Sequence, residues 1–216
     1  MSNPNYGVFD LETFKDSANI KDNTFSRVFA VGFKTKMEIQ TYFLTDHFPN
    51  SIEGSANLVL HCLDNMLTPK YNNYIFYVHN LGKFDVIFLY KILLDYNEKV
   101  ASLALTFFLY VRSKKKLGAS SCNSRGPKGQ PKYILDPLYR DNHIIRLIVK
   151  LNSPQKLKIS FVDSLNLLDS SLDKLCKDFN IKTSKGIYPY AFVNKDNLNY
   201  VGCFALLLIL NIIIQT

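Results

Sequence analysis

The chain has 216 residues and a formal net charge of +8, with 47% hydrophobic and 20% charged residues. This composition is that of a globular protein with a sizeable core, and it excludes a disordered or collagen-like chain. The charge is confined, because residues 99–135 contain eight basic and no acidic residues while the remainder carries 18 of each sign. The sequence therefore predicts a neutral domain with one basic segment.

Periodic segments in chain order predict a mixture of strands and helices. The first strand is followed by a hairpin with a break at Thr35–Lys36, and Pro69 ends the first helix. Mixed strands with crossover helices are typical of an α/β domain with a mixed sheet. The predicted strands are residues 6–11, 27–34, 38–44, 74–78, 144–151 and 157–162, and the predicted helices are residues 55–67, 84–96 and 172–179. Residues 74–78 are all apolar, so we expect this strand to be buried on both faces.

Two segments do not fit this pattern. Residues 112–132 are basic and rich in Gly, Pro and Ser, which predicts a loop or an insertion. Residues 204–214 are apolar and too short to span a bilayer, so we expect no membrane association. Four cysteines lie far apart without a CxxC pair, which favours free thiols over a zinc site. We expect no secretory signal, since Met1–Tyr6 is polar.

Two carboxylates lie at the end of the first predicted strand, two residues apart. Asp10 and Glu12 are two residues apart, so their side chains point to the same face of a strand. Carboxylates held side by side repel each other unless a cation lies between them, and Mg²⁺ prefers oxygen ligands. A solvated strand end would show the same pattern, so the pair alone is a weak indication of a metal site.

A second polar segment joins a buried strand to a helix. His79–Asp85 reads HNLGKFD, and loops at the carboxyl ends of strands in open α/β sheets are where ligands bind. Gly82 allows either a close backbone approach or a left-handed turn. Asp85 at the start of the helix could act as a cap, but capping does not explain why this unit follows a strand that ends in DLE.

Together these motifs resemble those of a known family, the family B DNA polymerases of the protein-primed type. Members are found in bacteriophages and in organellar linear plasmids. FDLET (residues 9–13) resembles the first motif of their 3′–5′ exonuclease domain, and HNLGKFD resembles the second, N-x-x-G-x-F-D. FVDSL (161–165) and LDKLCKDFN (172–180) resemble the stretch that places a Ser/Thr-Leu pair on the primer end. The segments 135–149 and 188–202 are similar to the plasmid-encoded branch.

The resemblance implies an RNase H-like exonuclease fold, α/β with a mixed sheet flanked by helices, over residues 1–202. It implies two divalent ions, Mg²⁺ or Mn²⁺, bound by Asp10, Glu12, Asp85 and a fourth acid. One ion would activate a water and the other would stabilise the leaving 3′-oxygen. The residues implied to hold a single-stranded DNA 3′ end are Thr13, Asn80, Phe84, Ser164 and Leu165. Phe84 and Leu165 could instead belong to the core.

The chain also departs from the family pattern. The third exonuclease motif has a Tyr followed by an Asp, but no acid follows Tyr200, so one metal ligand is missing. No polymerase palm motif is present, and residues 203–216 form an atypical apolar tail. We therefore expect a truncated or partial polymerase that retains the proofreading portion, serves replication of an organellar genome or linear plasmid, and is located in the mitochondrion. A terminal protein is a possible partner of the full-length family member.

Two alternatives remain open from the sequence. A stand-alone RNase H-like exonuclease needs a fourth acid, for which Asp163 and Asp169 are the candidates. A non-catalytic nucleic-acid-binding remnant would use the basic segment 99–135 and would bind DNA in a salt-sensitive manner. The exonuclease requires Asp10 for its activity, whereas DNA binding by the remnant would not be affected by Asp10→Ala.

Overall fold

The computed structural model of the protein describes residues 5–17, 24–45, 47–114, 130–181, 194 and 196–198. The apolar tail 203–216 and the middle of the basic segment, residues 115–129, lie outside the described residues. The chain divides into two compact units, of which the first comprises Met1–Thr13 with Val28–Gly186 and the second Phe14–Arg27 with Ile187–Thr216. Every candidate site residue belongs to the first unit.

Seven strands and three α-helices are described. The strands are β1 (Tyr6–Ser17), β2 (Thr24–Thr35), β3 (Ile39–Phe43), β4 (Ile75–Val78), β5 (Tyr133–Arg140), β6 (His143–Leu151) and β7 (Lys158–Asp163). The helices are α1 (Ile52–Met66), α2 (Asp85–Lys114) and α3 (Leu172–Asp178). Short 3₁₀ turns occur at Pro69–Tyr71, Leu81–Lys83 and Ser164–Asn166.

The strands form one mixed sheet in the order β3-β2-β1-β4-β7-β6-β5. β1, β4 and β7 are parallel neighbours at its centre, whereas β3 pairs with β2 and β6 pairs with β7 and β5 in the antiparallel sense. This mixed sheet with helices confirms the expected α/β class.

The core lies against one face of the central strands. Phe76 of β4 is fully buried and is registered with Gly7 of β1 and Phe161 of β7. A Cβ on Gly7 would meet the Phe76 ring at 2.8 Å, so the ring requires a glycine there. On the other side of β4, Ile75 and Tyr77 are partly exposed. The prediction that this strand is buried on both faces is therefore wrong.

The helices begin where the sequence supplies a cap and end where it supplies a breaker. Ser51 caps α1 by accepting a hydrogen bond from the Gly54 N–H at 2.9 Å, and α3 is capped in the same way by Ser171. α2 runs to Lys114, far beyond the predicted end, because residues 97–114 contain neither Gly nor Pro. The first part of the predicted basic loop is therefore helical.

The end of that basic segment is also regular structure. β5 begins at Tyr133. The sequence pattern does not predict this strand, because Pro137 interrupts the run of strand-forming residues. A proline is tolerated in this strand because β5 lies at the edge of the sheet. The Asn97 side chain holds the start of β5, donating to the Tyr133 carbonyl and accepting from its N–H at 2.8 and 3.2 Å.

The second unit contains a buried ion pair, in which Arg27 Nε lies 3.0 Å from Asp16 Oδ2 and the guanidinium stacks over the Phe14 ring. Cys62, which is buried, and Cys176 are free thiols, as predicted. Among the described residues, no helix combines the length and the apolar character needed to cross a membrane.

Candidate functional site

β4 and β7 end side by side, next to the middle of β1, which continues to Ser17 and carries Asp10 and Glu12. The register pairs Val8 with Tyr77 and Val78 with Asp163, so the residues that follow them lie side by side. Chain segments from the DLE sequence, the HNLGKFD loop and the DSL sequence are thereby neighbours. This edge of the sheet, at the carboxyl ends of β4 and β7, is where open α/β sheets bind ligands, and it carries all the candidate site residues.

The loop after β4 has an unusual backbone that the sequence explains. Asn80 adopts left-handed angles, with φ 64° and ψ 34°, a conformation that Asn tolerates better than most residues. The turn Leu81–Lys83 follows, and Phe84 leads directly into α2. Gly82 is needed for a close approach and not for a left-handed turn, because a Cβ there would lie 2.8 Å from the Ile144 carbonyl oxygen.

Asp85 is the most perturbed acid of the site. Its side chain is 3% exposed at the first position of α2, and its Oδ1 atom is buried without a hydrogen-bond partner. Burial, then the charge of Asp10 and more weakly that of Glu12, raises the pKa of Asp85 to about 7. Hydrogen bonding from the N–H groups of Asp85 and Leu11 opposes this rise only in part. The charge of Asp10, and more weakly that of Glu12, therefore acts on the Asp85 carboxylate.

This donor set has the chemistry of a divalent-cation site. Three carboxylates supply oxygen ligands, and the unpartnered Asp85 Oδ1 is a buried acceptor that a cation would satisfy. Asp10 is exposed and Glu12 is half-buried. Within the described residues, no three ligating side chains are already grouped tightly enough to hold an ion.

Asp163, one of the two candidates for a fourth acid, is held by backbone N–H groups. It is 6% exposed, and both of its carboxylate oxygens accept backbone hydrogen bonds of 3.0 Å, Oδ2 from Gly82 and Oδ1 from Leu165. Asp169 is exposed beyond the 3₁₀ turn that follows β7. These contacts fix the orientation of the carboxylate, while each oxygen keeps a second lone pair. The expectation that Asp163 supplies the missing ligand stays a prediction.

Four of the residues expected to hold a DNA end lie on the two loops of this edge, and Thr13 lies within β1. Phe84 is 41% exposed and Leu165 is partly exposed, so neither belongs to the core. The Phe84 and Phe88 rings pack in a T-shaped arrangement with centroids 5.5 Å apart. Thr13 and Asn80 are half-buried. This exposure is compatible with contact to a ligand but does not identify one.

His79 is a member of the site that the sequence did not single out. Its Nδ1 atom lies 3.2 Å from Ser164 Oγ, which in turn lies 3.4 Å from the Val78 carbonyl oxygen. In the sequence, His79 is notable only because it precedes Asn80. Its contact with Ser164 could not be predicted, because the two loops are far apart along the chain. Pairing of β4 with β7 brings them together.

Known DNA polymerases are similar to this chain over much of its length. Residues 66–204 match the family described as DNA polymerase type B, organellar and viral. A probable DNA polymerase of Podospora anserina is 34% identical over 93% of this chain, and one of Agaricus bitorquis is 30% identical over 91%. The chain spans 17% and 21% of the lengths of these two relatives.

A solved structure of phi29 DNA polymerase with primer-template DNA and incoming nucleotides is similar to this chain. The similarity covers 90% of this chain and 26% of the phi29 polymerase chain. The TM-score is 0.49 and the sequence identity 18%. The family match covers more than half of the chain and two relatives reach 30% identity. This chain therefore belongs to the organellar and viral family of type B DNA polymerases.

Proposed function

We propose that this chain supplies the 3′–5′ exonuclease, or proofreading, portion of a DNA-directed DNA polymerase that replicates an organellar genome or linear plasmid, within the mitochondrion. The observation that carries the proposal is the coupling of Asp85 to Asp10 and Glu12. A buried carboxylate with an unpartnered oxygen beside two like charges is costly unless it serves a ligand.

Asp10, Glu12 and Asp85 would hold Mg²⁺ or Mn²⁺ at this edge of the sheet. Divalent cations bound there supply Lewis-acid stabilisation of the charge that develops when a phosphodiester is hydrolysed. Asp85 must lose its proton before it can act as a ligand, and its raised pKa makes this deprotonation pH-dependent near neutrality. A cation held by Asp10 and Glu12 would favour the charged form.

The two loops would bind the unpaired 3′ end of a DNA strand. The exposed ring of Phe84 offers a stacking surface for a base, and such stacking does not depend on sequence. The side chains of Asn80 and Thr13 provide polar groups on the same edge, while Ser164 and Leu165 approach from the β7 side. An enzyme that removes any mismatched nucleotide needs this sequence-tolerant binding. A terminal protein is a further partner proposed for the whole polymerase.

The test is release of mononucleotides from 3′-labelled single-stranded DNA in the presence of Mg²⁺. We expect slow release, because the chain contains no acid after Tyr200 that could complete the ligand set. Asp10→Ala should reduce it at least about 100-fold, since a lost ligand removes several kcal/mol of transition-state stabilisation. Asp169→Ala is the matched control, because this exposed acid should not matter. Equal release by the wild-type chain and Asp10→Ala would refute the proposal.

A further inference from the structure

Asp163 connects two loops that the sequence separates by 81 positions. It is the last residue of β7, and its Oδ2 atom accepts the Gly82 N–H at 3.0 Å. Its Oδ1 atom accepts the N–H of Leu165 at the same distance and so caps the 3₁₀ turn that begins at Ser164. A single buried carboxylate therefore holds both loops by their backbones.

The connection is specific because the Gly82 backbone has little room to move. A Cβ on Gly82 would lie 2.8 Å from the Ile144 carbonyl oxygen, 3.3 Å from His143 Cβ and 3.5 Å from Asp163 Oδ2. The loop after β4 is thus bounded by β6 and anchored by Asp163. A carboxylate forms stronger hydrogen bonds to N–H groups than a neutral acceptor does. The distance between the two loops is therefore held within a narrow range.

The distance between the two loops matters because both loops carry residues expected to bind DNA. Asn80 and Phe84 flank Gly82 on one loop, while Ser164 and Leu165 directly follow Asp163 on the other. We propose that Asp163 is a positioning residue that sets the separation between these two pairs, and thereby the width of the cleft that receives a DNA 3′ end. This role rests on the proposed function, but the loop connection itself can be measured without DNA.

The connection predicts graded effects of two substitutions. Asp163→Asn keeps one acceptor oxygen and Asp163→Ala keeps none, so the Gly82 and Leu165 amides should exchange with solvent faster in that order. We expect about tenfold faster exchange in Asp163→Ala, the loss typical of a hydrogen bond to a charged group. Ser51→Ala removes a cap of the same kind from α1 and should leave both amides unchanged. Unchanged exchange at Gly82 in Asp163→Ala would overturn the connection.

Binding measurements then test the role in the cleft. The probe is a fluorescent single-stranded oligonucleotide, linear or circularised, with Ca²⁺ replacing Mg²⁺ to prevent cleavage. The wild-type chain should prefer the linear form, and Asp163→Ala should lose about tenfold in affinity for that form alone, as a displaced binding loop implies. Ser51→Ala lowers stability and should keep the preference, which separates positioning from a general loss of fold.

The outcomes distinguish the two proposals. A wild-type chain that binds linear and circular strands equally would overturn both the proposed function and the role of Asp163. A wild-type preference for the linear strand that Asp163→Ala retains would overturn the role of Asp163 alone. Loss of the preference in Asp163→Ala, with Asp163→Asn intermediate, supports the positioning role.

Discussion

The Nδ1 atom of His79 lies 3.2 Å from Ser164 Oγ, although the two residues are 85 positions apart. Ser164 Oγ has one proton and lies 3.4 Å from the Val78 carbonyl, which can only accept. If the hydroxyl donates to that carbonyl, the neutral imidazole must carry its proton on Nδ1. The contact is therefore a second connection between the loops that Asp163 joins.

This geometry predicts the tautomer of His79. In the neutral ring the Nδ1-protonated form should dominate, and Ser164→Ala should shift the population toward the Nε2-protonated form, because the acceptor of the Nδ1 proton is lost. Long-range ¹H–¹⁵N spectra of the imidazole distinguish the two forms. Exposed His143 is the internal control and should not respond. An Nε2-protonated His79 in the wild-type chain would contradict the assignment.

The raised pKa of Asp85 predicts a pH dependence of stability in the metal-free protein. A carboxyl group with a pKa near 3.9 when unfolded and about 7 when folded binds its proton more tightly in the folded state. Its contribution to the free energy of unfolding is therefore greatest below pH 4 and is lost as the pH rises through 7. The loss across this range is roughly 4 kcal/mol at most.

Substitution of Asp85 by Asn should remove this dependence. We expect the difference in unfolding free energy between the wild-type chain and Asp85→Asn to shift in favour of the variant from pH 4 to pH 8. Urea titrations in EDTA at several pH values measure it. Asp95→Asn, an exposed residue of the same helix, should follow the wild-type profile. Parallel profiles for the wild-type chain and Asp85→Asn would show that the pKa is not raised.

The close approach at Gly82 predicts a steric cost. Gly82→Ala places a methyl group 2.8 Å from the Ile144 carbonyl oxygen, a backbone atom that cannot turn aside. We expect a loss of about 1–3 kcal/mol in the free energy of unfolding, as for other overpacked sites. Chemical denaturation measures this loss. Lys83→Ala changes the exposed neighbour and should stay within about 0.5 kcal/mol of the wild-type value.

The basic segment predicts a salt dependence of DNA binding. Changing Lys114, Lys115 and Lys116 to Gln together should reduce the slope of log affinity against log salt by up to about 2, if each contacts a phosphate of a single strand. The matched control is Lys91→Gln, Lys150→Gln and Lys177→Gln together, since these lysines are paired with carboxylates. Equal slopes for the two triple variants would exclude the segment from binding.

Sequence patterns predicted several secondary-structure elements and the candidate site residues of this protein. Alternation and apolar runs predicted the hairpin β2–β3, the crossover helix α1 and the central strand β4 close to their observed bounds. The DLE and HNLGKFD segments predicted which side chains would share one edge of the sheet. Local patterns succeed here because a strand that ends in polar residues and a helix that begins with an acid are determined by neighbouring residues in the chain.

Tertiary structure decided what each acid can do. Asp163 and Asp85 are both buried acids at the same edge, and the sequence does not distinguish their roles. Asp163 receives two N–H groups that strand pairing brings to it, whereas one oxygen of Asp85 receives none and the acid instead lies beside two like charges. Hydrogen-bond partners and charges at a buried carboxylate come from distant segments, so only the folded chain determines whether it is a structural acceptor or a candidate ligand.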